Sequence, residues 1–179
     1  MHAGIAGGAD VILIPEIPYS IDAVAAQVKN RDDAGRPFTI IAVTEGAVEK
    51  GGSAVVGKVV EDSPDSIRFG GVAAKIANQL ESLVRHEVRH CVLGHLQRSG
   101  DTSPADRLLS ARYGVKAAEM IRDGHFGNMA CLANGEMSYV SLEKVIGDAK
   151  VSTGGAKNVD PNGELVRVAK AMGITFADA

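Results

Sequence analysis

The sequence contains no tryptophan, and aromatic residues of all kinds make up only 4% of it. Any core must therefore be built from Ala, Val, Ile and Leu, the residues of parallel strands buried beneath helices. Two cysteines without paired spacing exclude a disulfide framework and read as reduced, cytoplasmic thiols. No apolar run is long enough to span a bilayer, which argues against a membrane partner. Basic residues number 19 against 22 acidic ones, with no basic run, which argues against nucleic acid. Nor do the glycines form a phosphate loop. Gly7-Gly8 and Gly51-Gly52 match neither G-x-x-x-x-G-K-[ST] nor G-x-G-x-x-G between a strand and a helix. What remains is an α/β chain of 179 residues, long enough for a real core.

The residues that are present set out an alternating plan. Small residues at helical spacing over Met1–Asp10 read as the last turns of a longer helix, since no N-cap precedes them. Val11–Ile14 is a β-branched run and reads as a buried parallel strand, ended by Pro15 and Pro18. Ser20 caps a helix striped by Ile21, Val24, Ala25 and Val28. Phe38–Thr44 reads as a second strand, and Glu45 follows it, where ligands of open α/β sheets sit. Residues 47–71 are expected to be a mobile insertion with one hairpin. Val72–Val84 and Ala105–Arg122 read as strong helices, the second opened by Pro104 and ended by Gly124. Asn134-Gly135 signals a β-hairpin between 128–132 and 137–140. Ser141 caps a short helix, residues 151–163 are turn-rich, and Glu164–Ala171 is a last helix with Leu165, Val168 and Ala169 apolar.

The stretch Arg89–Gly100 carries the chemistry. It reads as an apolar strand entering a loop that displays His95, Gln97 and Arg98, a donor set for an anionic, oxygen-rich ligand such as a sugar phosphate. Alternation places Arg89, Cys91, Leu93 and His95 on one strand face, with Arg89 and His95 roughly 20 Å apart at about 3.3 Å per residue. They cannot meet on one phosphate within one chain, so a shared ligand requires a two-fold dimer. The plain alternative is that Arg89 and Arg98 are solvated surface charges. Cys91 reads as a core residue. His2 and His125 read as surface or packing residues.

His86-Glu87-Val88-Arg89-His90 also matches H-E-x-x-H, a zinc-hydrolase pattern that needs both histidines on one helix face. The helix expected to stop near here would splay His86 and His90, and no third ligand follows, so this reading stands as a remote alternative.

Taken in order, Ala6-Gly7-Gly8-Ala9-Asp10, Ile14-Pro15-Glu16, Ala42–Gly46, Val92–Arg98 and Asp106-Arg107-Leu108 resemble the 6-phosphofructokinase family, in its branch using ATP or pyrophosphate. The resemblance covers nearly the whole chain and is strongest from Arg89 to Tyr113. It implies a three-layer α/β sandwich with a parallel-rich sheet, of which this chain is the C-terminal, substrate-binding half. It implies phosphoryl transfer to O1 of fructose 6-phosphate in glycolysis. Glu45 would bind fructose hydroxyls, and His95 and Arg98 would hold the 6-phosphate, with Leu96 and Gln97 in the same loop. Arg89 would reach the 6-phosphate of a neighbouring subunit across a two-fold interface. The catalytic base, the Mg²⁺ ligands and the ATP or pyrophosphate site would lie in the other half, so the chain alone is expected to be inactive. Ser99-Gly100-Asp101-Thr102 departs from the family's usual Gly-Gly-Ser-Pro. On this plan residues 1–98 form a partial sugar-phosphate domain, 99–150 would pack on the N-terminal domain, and 151–179 return. Ala105–Val140 should then present an uncovered apolar face. A non-catalytic sugar-phosphate binder is the alternative reading.

Overall fold

The computed structural model describes residues 1–59, 67–151 and 158–178. In chain order the elements are α1 (His2–Ala6), β1 (Val11–Leu13), α2 (Ile21–Asp33), β2 (Ile41–Val43), β3 (Val56–Val59) and β4 (Ile67–Phe69). They continue with α3 (Val72–Glu81), a 3₁₀ turn (Gly94–Arg98), α4 (Pro104–Arg122), β5 (Asn128–Ala133), β6 (Glu136–Ser141), α5 (Leu142–Val151) and α6 (Glu164–Ala171). The chain divides into two units, Met1–Val92 with Val159–Ala179, and Leu93–Asn158. Among the described residues no helix is long and apolar enough to cross a membrane.

The first unit is organised on β1. All three of its residues are buried, because both faces of the strand are covered. Val11 and Leu13 point to one side and join Tyr19, Val24, Ala25, Ile76 and Leu80, so α2 and α3 form one helical layer. Ile12 and Ile14 point to the other and join Ile17, Val166, Ala169 and Phe176, with Ile5 packed against them. That places α1 and α6 on the opposite face and gives the three-layer α/β arrangement. The sheet is parallel, with Val11, Ile12 and Leu13 opposite Ile41, Ala42 and Val43. On the other edge of β1 the tail adds a parallel bridge, Val11 to Thr175. There the Ile12 N–H donates to the Thr175 carbonyl at 2.9 Å. Helix α1 approaches β1 so closely that a Cβ on Gly4 would lie 2.6 Å from Ile12 Cδ1. Glycine is what allows that approach.

Local signals place the element ends. Ser20 Oγ accepts from the Ala23 N–H at 3.4 Å and caps α2. Ser103 Oγ accepts from the Asp106 N–H at 3.1 Å and donates to Asp106 Oδ2 at 2.8 Å, closing the first turn of α4. Asn134 and Gly135 take φ of 51° and 85°, as a tight hairpin turn requires, and join β5 to β6. Ser141 Oγ accepts from the Lys144 N–H at 3.2 Å at the start of α5. The insertion contains the one expected hairpin, β3 against β4. Residues 60–66 and 152–157, parts of the expected insertion and turn-rich segment, lie outside the described residues.

Several expectations fail. Residues 89–93 are not a strand, and residues 94–98 form the 3₁₀ turn instead. A strand is held by its ladder. Among the described residues the parallel sheet ends at β2, and Val92 and Leu93 are exposed. The roughly 20 Å strand spacing between Arg89 and His95 therefore has no basis in the structure, and their sharing across a dimer rests on the resemblance alone. Cys91 is exposed rather than a core residue. Helix α3 stops at Glu81, so His86 and His90 share no helix face. On α6 the buried side chains are Val166 and Ala169, while Leu165 and Val168 are exposed.

The second unit is built differently. Of α4 only Met120 is buried, while its Leu108, Val115 and Ile121 are exposed, as is Phe126 just beyond it, by 75%. Polar and aromatic contacts tie α4 to the hairpin. Arg112 Nη2 donates to the Gly135 carbonyl at 2.6 Å. His125 stacks on Tyr139 with ring centroids 4.6 Å apart, and Lys116 lies 5.6 Å over the same ring.

Candidate substrate-binding site

Glu45 stands just beyond β2 on an exposed turn whose two ends are fixed. The Thr44 N–H donates to the Leu13 carbonyl at 3.1 Å, and the Ala47 N–H to the Thr44 carbonyl at 3.0 Å. Ala47 is a buried plug behind the turn. Glu49 accepts from Lys75 Nζ at 2.7 Å and from Gln79 Nε2 at 3.4 Å, which ties the turn to α3. The Lys75 hydrogen bond holds the Glu49 carboxyl below its ordinary range, and the same bond raises Lys75. Burial raises the phenol of Tyr19, whose main chain pairs with Val48 and Lys50. Glu45 is thus presented to solvent on a braced support.

Arg89 belongs to the same unit and is exposed. It forms a fork-to-fork pair with Glu87, Nε to Oε1 at 2.8 Å and Nη2 to Oε2 at 2.9 Å. That bond raises Arg89 and lowers Glu87 from their ordinary values. Both residues line a cavity of about 400 Å³ with an apolar wall that includes Ile41, Leu80 and Val84. His86 Nε2 lies 2.6 Å from Asp32 Oδ1 on the same cavity. No hydrogen bond or ion pair joins Glu45 to Arg89 among the described residues.

His95, Leu96, Gln97 and Arg98 fall in the second unit, all exposed on one 3₁₀ turn. Gly94 and Gly100 bracket it with φ of 44° and 86°. The Leu96 N–H donates to the Leu93 carbonyl at 2.7 Å, and Ser99 Oγ donates to the Leu96 carbonyl at 2.8 Å. Among the described residues nothing pairs with the side chains of His95, Gln97 or Arg98. Three donors are left available on one turn, which suits an anion.

Sequence reasoning missed the Glu49–Lys75–Gln79 brace, whose members are 26 and 30 residues apart and carry no spacing signal. It also missed Glu16, whose Oε1 accepts from the Val159 N–H at 2.9 Å while its Oε2 is buried without a partner. Lys170 pairs with Asp178 at 2.9 Å, and Lys50 donates to the Asp178 carbonyl at 3.0 Å, on a neighbouring cavity. Among the described residues no three His, Cys, Asp or Glu side chains converge as metal ligands.

A strand buried on both faces between two helical layers, paired in parallel with its neighbour, is the architecture of an α/β protein. The family model for phosphofructokinase matches residues 1–121, and the chain belongs to the phosphofructokinase family. It is 56% identical over 179 residues to the ATP-dependent 6-phosphofructokinase 2 of Clostridium perfringens, covering 99% of this chain and 47% of that protein. It is 45% identical over 178 residues to the ATP-dependent 6-phosphofructokinase of Chloroflexus aurantiacus, covering 99% of this chain and 46% of that one. The chain thus spans about half the length of these relatives. The structure of phosphofructokinase from Saccharomyces cerevisiae shares the fold, with a TM-score of 0.61 at 23% identity over 84% of this chain and 19% of that chain.

Proposed function

We propose that this chain supplies the fructose 6-phosphate-binding half of a cytoplasmic 6-phosphofructokinase, which transfers a phosphoryl group to O1 of the sugar. The carrying observation is the turn Gly94–Arg98, where His95, Gln97 and Arg98 are exposed and unpaired among the described residues. On this reading His95 and Arg98 hold the 6-phosphate, Leu96 and Gln97 shape the loop, and Glu45 accepts hydrogen bonds from fructose hydroxyls. Arg89 serves the 6-phosphate of a second subunit across a two-fold interface.

The relatives' names favour ATP over pyrophosphate as donor. The described residues do not fit a Mg²⁺ site, so no step of the transfer is assigned to them, and donor and cation belong to the other half. The exposed apolar stripe of Leu108 and Val115 on α4 is read as surface that packs on that half. Binding and orientation of the acceptor sugar are what this chain contributes.

Fructose 6-phosphate should raise the melting temperature of the chain, while fructose should not. Equal melting with and without the sugar phosphate overturns the proposal. A second reading is a non-catalytic sugar-phosphate binder, which the exposed donors on the turn Gly94–Arg98 also support. Phosphoryl transfer restored on mixing the chain with a phosphofructokinase N-terminal half would exclude it.

A further inference from the structure

Two residues before Arg89, Glu87 occupies one edge of the guanidinium that a phosphate would need. The pair uses Nε and one Nη2 hydrogen, at 2.8 and 2.9 Å. Its side chains are 81% and 70% exposed, so the two residues hold each other rather than being held by packing. A phosphate arriving at Arg89 meets one of two situations. It displaces Glu87 from the Nε edge, or it binds the remaining hydrogens with a carboxylate beside it. Either event weakens binding, the first by competition and the second by like-charge repulsion.

We propose that Glu87 is a built-in counter-anion of Arg89 that competes with the sugar phosphate and sets its affinity. The inference rests on the reading of Arg89 as a 6-phosphate ligand. It adds a residue that opposes binding, placed where contact with the sugar is not required. The other titratable groups on this cavity, Asp32 and His86, pair with each other at 2.6 Å. Glu87 is thus the carboxylate engaged with Arg89. Because Arg89 holds the Glu87 carboxyl below its ordinary range, the competition persists at neutral pH and fades only in acid.

The test measures fructose 6-phosphate binding by calorimetry for the wild-type chain, Glu87→Gln, Arg89→Met and the double variant. Glu87→Gln should bind roughly threefold more tightly, the scale of an exposed ion pair. Arg89→Met should bind roughly tenfold more weakly, and adding Glu87→Gln to it should restore nothing. The ratio of wild-type to Glu87→Gln affinity should approach unity as pH falls below the glutamate range. Titration of the ligand affects both proteins and cancels in that ratio. If Arg89→Met weakens binding while Glu87→Gln leaves it unchanged or weaker, the inference fails and the reading of Arg89 stands. If Arg89→Met binds like wild type, or wild type does not bind, the reading itself fails. The Arg89 Nε–H resonance gives a ligand-free check. It should shift in Glu87→Gln, and an unmoved resonance overturns the inference whatever the binding result.

Discussion

The two units of this chain solve the burial problem in opposite ways. In the first, β1 is covered on both faces, and its Val11, Ile12 and Leu13 are all at 2% exposure or less. In the second, α4 is 19 residues long and buries one of them. The first unit holds itself together by hydrophobic burial. The second holds its shape by caps, a hairpin ladder and a few polar contacts, and leaves apolar side chains such as Leu108 and Val115 exposed. The candidate site is divided in the same way. Glu45 sits on the braced unit, and His95, Gln97 and Arg98 sit on the exposed one.

That contrast can be broken by matched substitutions. Leu13→Ala removes a fully buried side chain and should cost about 2–5 kcal/mol in urea unfolding. Leu108→Ala on the exposed face of α4 should change stability by less than about 0.5 kcal/mol. Similar losses at the two positions would erase the distinction. Gly4→Ala forces a methyl onto Ile12 and should cost about 1–3 kcal/mol, and an unchanged melt would mean that α1 is not seated on β1. Ser103→Ala removes the cap of α4 and should cost about 1 kcal/mol, read as faster amide exchange in its first turn with the first unit unaffected.

The smallest effect is a pH dependence. Glu49 is lowered by Lys75, so its contribution is present above the unfolded carboxyl value and lost as pH falls through the lower folded value. Lys75 is raised, so its contribution is present below the unfolded lysine value and lost as pH rises through the folded one. Stability should therefore sag at both extremes, and Lys75→Met should flatten the acid limb. An identical acid limb in that variant would remove the brace from the account.

Much of this could be read from residues alone where the signal was local. Ser20, Pro104, Asn134-Gly135 and Ser141 act within a few residues of themselves, and each stands where its chemistry placed it. The buried strand at Val11 was legible because a continuous apolar run needs cover on two sides. Position 89–93 misled because apolar alternation states a demand for burial without supplying the neighbouring strand. The same holds for Cys91, exposed in the segment where a core residue was expected. Long-range partners such as Lys75 with Glu49, or Glu16 with Val159, were illegible because only the fold brings them together. At the candidate site, residue types were legible and their pairing was not. Nothing in the spacing announced that Glu87 would hold Arg89.

The central claim is that the turn Gly94–Arg98 binds the 6-phosphate of the sugar. Calorimetric titration of fructose 6-phosphate into wild type and Arg98→Ala tests it most directly. Loss of a charge-assisted contact should weaken binding by about tenfold or more, with the unfolding curve unchanged because Arg98 is exposed. Equal affinity in the two proteins would contradict the account.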